Sequence, residues 1–340
     1  MNEREVKDKA RELLKPFCRV CPECNGVACR GEVPGMGGKG SGLAFINNYK
    51  RLKGIELKMR VIHDIKEADT ACELFGMAMA LPVYAAPVTG TVFNMGGKLT
   101  ELEYIRNVIV GCHEAGIIPM VGDSALPSFL TDNLAVLKEI KKSGIAFIKP
   151  WPNEEILQRV ESAMDSGVGA IGVDVDACGL VTLNIHGKGV YPKSPAEIKE
   201  LKDSIKVPFI VKGVLTLADA EAAYNAGADA IVVSNHGGRV LDCAQASCDA
   251  LVEIADAYKG KLTILVDGGV RDGIDVFKML ALGADGVLIG RPFVTYSFGG
   301  GADAVRDYVL KVKSELKGAM LLTGARSLKD IDRSMIVMHN

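Results

Sequence analysis

Apolar and polar positions alternate along this chain in a repeating pattern. Segments of the form Ala-Gly-x-x followed by four apolar residues recur at His113 to Met120, Ser143 to Lys149, Ser166 to Asp174, Ala226 to Ser234 and Leu282 to Gly290. Each follows a stretch of helical periodicity. After Asp272, for example, Val276, Met279, Leu280 and Gly283 fall at i, i+3, i+4 and i+7, one face of a helix. The glycine suits a helix C-terminus, and the uninterrupted apolar run suits a strand buried on both faces, as parallel strands are. Further strands near Val83 to Ala86, Phe209 to Lys212 and Thr263 to Val266 bring the count to eight strand–helix units between about residues 83 and 323. Eight units predict an α/β fold of the closed (β/α)8 TIM-barrel type; an open doubly wound sheet would usually need fewer. Residues 1–82 read as a cap: an amphipathic helix over about Glu3 to Leu14, a cysteine- and glycine-rich loop, then mixed polar segments. Residues 83–340 are expected to form the barrel.

Composition narrows the partners. Hydrophobic residues make up 48% of the 340, with 38 glycines, which fits a well-buried α/β core with many tight turns. Forty basic against 42 acidic residues leave a net charge of −2, which gives no electrostatic reason to expect nucleic acid or a membrane surface. The longest apolar stretch, around Met77 to Phe93, is broken by Pro82 and Pro87 and makes a poor membrane span. The first fifteen residues are charged and lack an apolar core, so no secretion signal is expected and the cytoplasm is the expected location. Nine cysteines in that setting point to reduced thiols or metal ligands rather than a disulfide scaffold.

The chemistry-bearing residues stand at the C-terminal ends of the expected strands. Asp174 closes the fourth apolar run, Lys212 the fifth, Ser234 the sixth, Asp267 the seventh and Gly290 the eighth. In a barrel these five ring one mouth, the face where chemistry and phosphate binding occur. Ser234-Asn235-His236-Gly237-Gly238-Arg239 supplies an imidazole, the best general base near neutral pH, which Asp174 could orient and charge-stabilise. Lys212 could hold a negative charge, and Arg239 could clamp a carboxylate in bidentate geometry. The glycine turns Asp267-Gly268-Gly269 and Gly290, with Arg271 and Arg291, make a phosphate site. Taken singly, a histidine is more often a satisfied structural residue, a strand-end lysine is usually solvated, and Asp-Gly-Gly can be an ordinary turn. Their joint placement at one face is what favours function.

These motifs resemble the FMN-dependent α-hydroxy acid oxidase and dehydrogenase family (glycolate oxidase, lactate oxidase, mandelate dehydrogenase). The resemblance runs from about Gly38 to Ile336 and includes Asn48, the stretch Arg60 to Asp64, Ala86-Pro87 and the tail Leu322 to Leu328. It implies that His236 takes the substrate proton with Asp174 as its partner. Lys212 would stand beside the flavin N1/O2 edge, and Arg239 would bind the substrate carboxylate. It further implies that Gly268, Gly269, Arg271, Gly290 and Arg291 cradle the FMN phosphate, that Pro87 lies in the segment lining the flavin, and that Ser234, Gly237 and Asp267 belong to the cofactor site. A small carboxylate-bearing substrate and a homo-oligomer (tetramer or octamer) are implied in the same way.

Three departures qualify the resemblance. Where the family places a tyrosine in the cap, this chain reads Pro34-Gly35-Met36-Gly37-Gly38, and where a second tyrosine ends the third strand it reads Lys149-Pro150-Trp151. The redox machinery is complete while the substrate grip is altered. The missing tyrosine segment is replaced by Cys18-x2-Cys21-x2-Cys24-x4-Cys29, a set that can wrap an iron–sulfur cluster or zinc, or that can be free thiols or a redox pair such as Cys21 and Cys24. Cys72, Cys112, Cys243 and Cys248 read as ordinary small buried residues, whereas Cys178 follows Asp174 at the mouth. The loop from Gly179 to Ser194, with His186, Lys188, Tyr191 and Lys193, is shorter than the family's mobile lid and reads chiefly as solvated. Two other functions stay open: a redox-neutral flavin barrel such as type 2 isopentenyl diphosphate isomerase, whose family lacks the His-Gly-Gly-Arg motif, and a non-catalytic flavin-binding redox sensor.

Overall fold

The computed structural model describes residues 1–186 and 189–339. Its centre is a ring of eight parallel strands. They are β1 (Val83–Ala85), β2 (Met120–Gly122), β3 (Ile145–Ile148), β4 (Ala170–Asp174), β5 (Phe209–Val214), β6 (Ala230–Val233), β7 (Thr263–Val266) and β8 (Gly286–Ile289). Pairing runs β1-β8-β7-β6-β5-β4-β3-β2, and a parallel bridge between Ala85 and Pro119 joins the two ends, so the sheet closes. Nearly every strand residue is buried, because helices cover the outer face and side chains fill the interior. Four of the repeat's five glycines end helices as expected; before Gly144 the helix is closed instead by Lys141, at φ 52°. Gly116, Gly167, Gly227 and Gly283 stand just past helix termini with φ between 78° and 118°, a region costly for residues with a Cβ.

The second strand differs from the sequence reading. Its apolar run, Ile117 to Met120, supplies only its last residue to β2. Ile117 N–H instead closes the preceding helix by bonding the Cys112 carbonyl at 2.9 Å, and Pro119 has no N–H to give a ladder. Pairing therefore starts later, with Met120 opposite Ile145.

The N-terminal residues wrap both ends of the ring. Helix α1 (Glu3–Leu14) starts at a capping box: Asn2 Oδ1 accepts from Glu5 N–H and Glu5 Oε2 from Asn2 N–H, both at 3.0 Å. It buries Val6, Ala10 and Leu14 in the same continuous core as the barrel. A hairpin of Cys72–Leu74 and Met77–Met79 lies under the N-terminal ends of the strands, with Met77 Sδ 3.3 Å from Ser143 Oγ. Helix α2 (Leu43–Lys53) sits over the opposite end. There Asn48 accepts from Asn235 Nδ2 (3.0 Å) and Ser247 N–H (3.0 Å) and donates to Asn235 Oδ1 (2.7 Å). None of the described helices is long and apolar enough to cross a membrane.

Candidate active site

The strand ends and the cap enclose a cavity of about 970 Å3, counting space open to solvent. Of the expected site residues, Asp174, Lys212, His236, Gly237, Arg239 and the Asp267 turn line it, as do Pro87, Gly290, Arg271 and Arg291. Ser234 lies just behind, buried: its hydroxyl donates to Asp267 Oδ2 at 2.8 Å and accepts from His236 N–H at 3.0 Å. Ser234 thus ties the histidine loop to the glycine turn.

His236 is held in a left-handed backbone conformation, φ 57°, followed by Gly237 at 61° and Gly238 at 78°. Such a run is strained for a residue with a side chain and marks a position that its surroundings over-determine. What fixes it is the cap. A Cβ on Gly238 would fall 2.4 Å from Phe45 N, and Gly238 O accepts from Lys39 N–H at 2.9 Å. His236 Nδ1 lies 3.0 Å from Asp176 Oδ1 and 3.4 Å from Lys212 Nζ. With Nδ1–H committed to the carboxylate, the neutral ring carries its lone pair on Nε2, which suits a base.

Here the structure corrects the expected pairing. The carboxylate on His236 is Asp176, whereas Asp174 faces two ammonium groups, Lys149 Nζ at 2.5 Å and Lys212 Nζ at 2.9 Å. The backbone explains the swap. Asp174 is the last residue of β4, in register with Lys212, so its side chain joins the strand-end layer. A 3-10 turn (Val175–Gly179) then lifts Asp176 toward β5, where the ladder slips at Gly213. Gly213 has φ 98°, and a Cβ there would lie 2.5 Å from Asp176 Cβ. A glycine bulge makes the room for Asp176.

Burial disfavours charge on Asp174, but Lys149 and Lys212 more than offset this and hold its carboxyl well below the usual range. Lys212 is likewise buried, and Asp174, Asp176 and Asp267 keep its ammonium charged beyond the usual lysine range. Asp267 is pushed up by burial despite Lys212, and its Oδ1 has no partner among the described residues.

Lys149 was not anticipated as a site residue. It lines the cavity at 4% exposure, while its neighbour Trp151 turns away and donates from Nε1 to Asp123 at 2.6 Å. The expected tyrosine position thus carries a buried cation. Asn94, also unanticipated, accepts from Arg239 at 2.9 Å. Arg239 further donates to the carbonyls of Gly35 (2.5 Å) and Gly37 (3.3 Å). Burial, and then the like charge of Arg291, lower Arg239 to about 9. From the loop after β4, Leu180 and Thr182 reach the cavity. His186 is exposed against Phe93, Lys193 lies over the Tyr191 ring, and Lys188 falls outside the described residues.

The opposite wall suits a phosphate. The N–H groups of Gly268, Gly269 and Val270 make no hydrogen bond among the described residues. Arg271 donates to Cys24 O (3.1 and 2.8 Å), and Arg291 to Met36 O (2.8 Å), Gly37 O and Gly237 O. Among the described residues none of Arg239, Arg271 and Arg291 has a carboxylate within ion-pair distance, so the wall offers positive charge and free N–H donors to an anion. Among the described residues, Asp174, Asp176 and His236 are the one cluster with metal-ligand spacing; two buried lysines already neutralise it.

A parallel barrel whose mouth joins a cationic, N–H-lined wall to a carboxylate-held imidazole suits a phosphate-bearing ligand set beside a base. Comparison with known proteins gives the family. A family model described as FMN-dependent dehydrogenase matches residues 35–182 and 182–338. The L-lactate dehydrogenase of Caulobacter sp. (strain K31) is 32% identical over 352 residues, spanning 88% of this chain and 92% of that protein. That of Ectopseudomonas mendocina (strain ymp) is 31% identical over 339 residues, spanning 85% and 89%. Among solved structures, mandelate oxidase with (S)-2-phenylpropionate superposes with a TM-score of 0.79 at 28% identity, covering 97% of this chain and 96% of that one. A mandelate oxidase variant with a C4a-OH-FMN adduct gives 0.77 at 28%, covering 97% of each. This chain belongs to the FMN-dependent dehydrogenase family.

Proposed function

We propose that this protein binds FMN in the mouth cavity and oxidises a 2-hydroxy acid to the 2-oxo acid. The observation that carries the reading is the His236 imidazole, fixed by Asp176 and Lys212, lining the same cavity as the phosphate wall. FMN, when bound, accepts the electron pair and the hydrogen released from the substrate carbon. The chain's own residues do the rest. The N–H groups of Gly268 and Gly269, with Arg271, Gly290 and Arg291, would hold the phosphate; Pro87 would line the ring, and Asp267 and Ser234 would brace the turn.

His236 Nε2 takes the hydroxyl proton, and Asp176 stabilises the imidazolium that results. Lys212 supplies fixed positive charge for the ring as it gains electrons, a preorganised group that needs no reorganisation. The substrate carboxylate meets Arg239, whose present partners are neutral carbonyls and an amide, weaker acceptors than a carboxylate. Lys149 lines the same cavity and puts a cation where the family has a tyrosine hydroxyl. The altered grip favours a substrate other than the simplest hydroxy acids.

The family match favours this reading over redox-neutral isomerisation. By resemblance the chain works as a homo-oligomer in the cytoplasm, with no nucleic-acid or membrane partner. The test is to mix FMN-loaded protein with a panel of 2-hydroxy acids without oxygen and follow the flavin absorbance. At least one acid should bleach it. Protein that stays colourless after FMN is added, or a flavin no 2-hydroxy acid reduces, would refute the reading.

A further inference from the structure

The family match begins at Gly35, so the four-cysteine loop lies outside the segment that the family model matches. It is nonetheless built against the site. Cys18, Cys21, Cys24 and Cys29 all line a second cavity of about 1300 Å3, counting open solvent, which shares Met36, Arg271 and Arg291 with the mouth cavity. None of the four is in a disulfide. Cys18 and Cys29 each lie within charge range of Cys24 and of Arg291.

The carboxylates of this second cavity are already engaged. Glu3 pairs with Lys7 and Lys311, Asp272 with Lys53, Glu23 accepts from the Tyr49 hydroxyl, and Glu315 accepts from Gly273 N–H. Arg271 and Arg291 are left with carbonyls and the Phe45 ring, which Arg291 stacks on at 3.6 Å. Two desolvated cations facing four thiols call for an anionic group that thiols ligate.

We propose that Cys18, Cys21, Cys24 and Cys29 hold an iron–sulfur cluster of the [4Fe–4S] type beside the flavin cavity. Sulfur distances favour it over zinc. Two consecutive x2 gaps place three sulfurs along one loop, as in the C-x2-C-x2-C run that wraps a cubane. A tetrahedral zinc with Zn–S bonds of ~2.3 Å needs its sulfurs about 3.8 Å apart. Among the described residues no three cysteine sulfurs lie within 4.8 Å of one another. A cubane core of charge 2+ with four thiolates is an anion of about −2, and Arg271 and Arg291, which line both cavities, would stand between it and the flavin phosphate.

The site gives substrate electrons an exit, a consequence that rests on the FMN reading above. The two electrons leave the reduced flavin singly; each reduces the cluster by one unit and passes to an external one-electron carrier protein, while the flavin's protons go to water.

The test is full-length protein made and purified without oxygen, with iron, acid-labile sulfide, zinc and FMN measured separately. Roughly four iron and four sulfide per chain are expected. Adding a reactive 2-hydroxy acid should raise the paramagnetic signal of a reduced cluster. Cys21→Ser and, independently, Cys29→Ser should lose the iron and that signal while FMN content is retained. Stoichiometric zinc without sulfide would overturn the proposal. So would fewer than one iron per chain after anaerobic reconstitution with ferrous iron and sulfide. FMN without iron sinks the cluster alone; iron without FMN sinks the flavin reading alone.

Discussion

The two sides of the barrel mouth are built on different electrostatic plans. On one side, Lys149 after β3, Asp174 and Asp176 at the end of β4, Lys212 on β5, His236 after β6 and Asp267 after β7 form opposite-charge pairs. On the other, Arg239, Arg271 and Arg291, in the segments after β6, β7 and β8, are all positive and rest on carbonyl oxygens. A paired network stays fixed through a reaction cycle and suits proton handling. A wall of cations on neutral acceptors is poised for anions that arrive. On the proposed reading the first side handles the proton and the second takes phosphate and carboxylate; beyond the second lies the cysteine loop.

This division can be broken at either side. The largest effect is expected at His236→Ala, which should keep FMN but slow its anaerobic reduction by ~10²–10⁴-fold; stopped-flow absorbance reads it, and an unchanged rate would remove His236 from the chemistry. Asp174→Asn leaves Lys149 and Lys212 buried without their countercharge and should cost about 3–5 kcal/mol of stability at pH 7, measured by urea unfolding. Asp176→Asn should act on the other axis, slowing flavin reduction by ~10²-fold while leaving the unfolding midpoint nearly unmoved. If the two Asn variants exchange these behaviours, Asp174 and not Asp176 serves the imidazole. Lys149→Met should raise KM for the hydroxy acid by about tenfold, some 1.4 kcal/mol, with a smaller change in kcat.

The paired side also predicts a pH profile. The Asp174 carboxyl titrates lower in the folded protein than in the unfolded chain, so its contribution is complete above the ordinary carboxylate range and is lost as pH falls through the depressed folded value. Lys212 has the opposite sign: its folded value is raised, so its contribution is complete below the ordinary lysine range and is lost as pH rises through the folded value. The stability these two groups contribute should therefore be flat across neutral pH, with losses at both extremes. Asp174→Asn should remove the acid loss contributed by this group.

The barrel was legible in the sequence because parallel strands buried on both faces leave continuous apolar runs, and because glycines punctuate the helix ends. The slip at β2 came from Pro119, which looks apolar in a pattern yet cannot donate to a ladder. The site was legible where its residues end strands or share a short motif, as with His236, Lys212 and the Asp267 turn. Asp176 escaped because its position depends on a turn after β4 and a bulge at Gly213 on the next strand, and neither shows in a local pattern. Lys149 stood out in the sequence only as part of Lys149-Pro150-Trp151 in place of a tyrosine, and its burial against Asp174 depends on the next strand. The carbonyl partners of Arg239 come from the cap, some two hundred residues earlier in the chain, and no spacing rule reaches that far.

Asn48 joins α2 to both Asn235 and Ser247, so the loop bearing the imidazole is finished by a helix that precedes the whole sheet. A truncated chain starting at β1 would be expected to close its ring of strands and yet lack a seated base, which makes α2 an architectural component of the reaction centre.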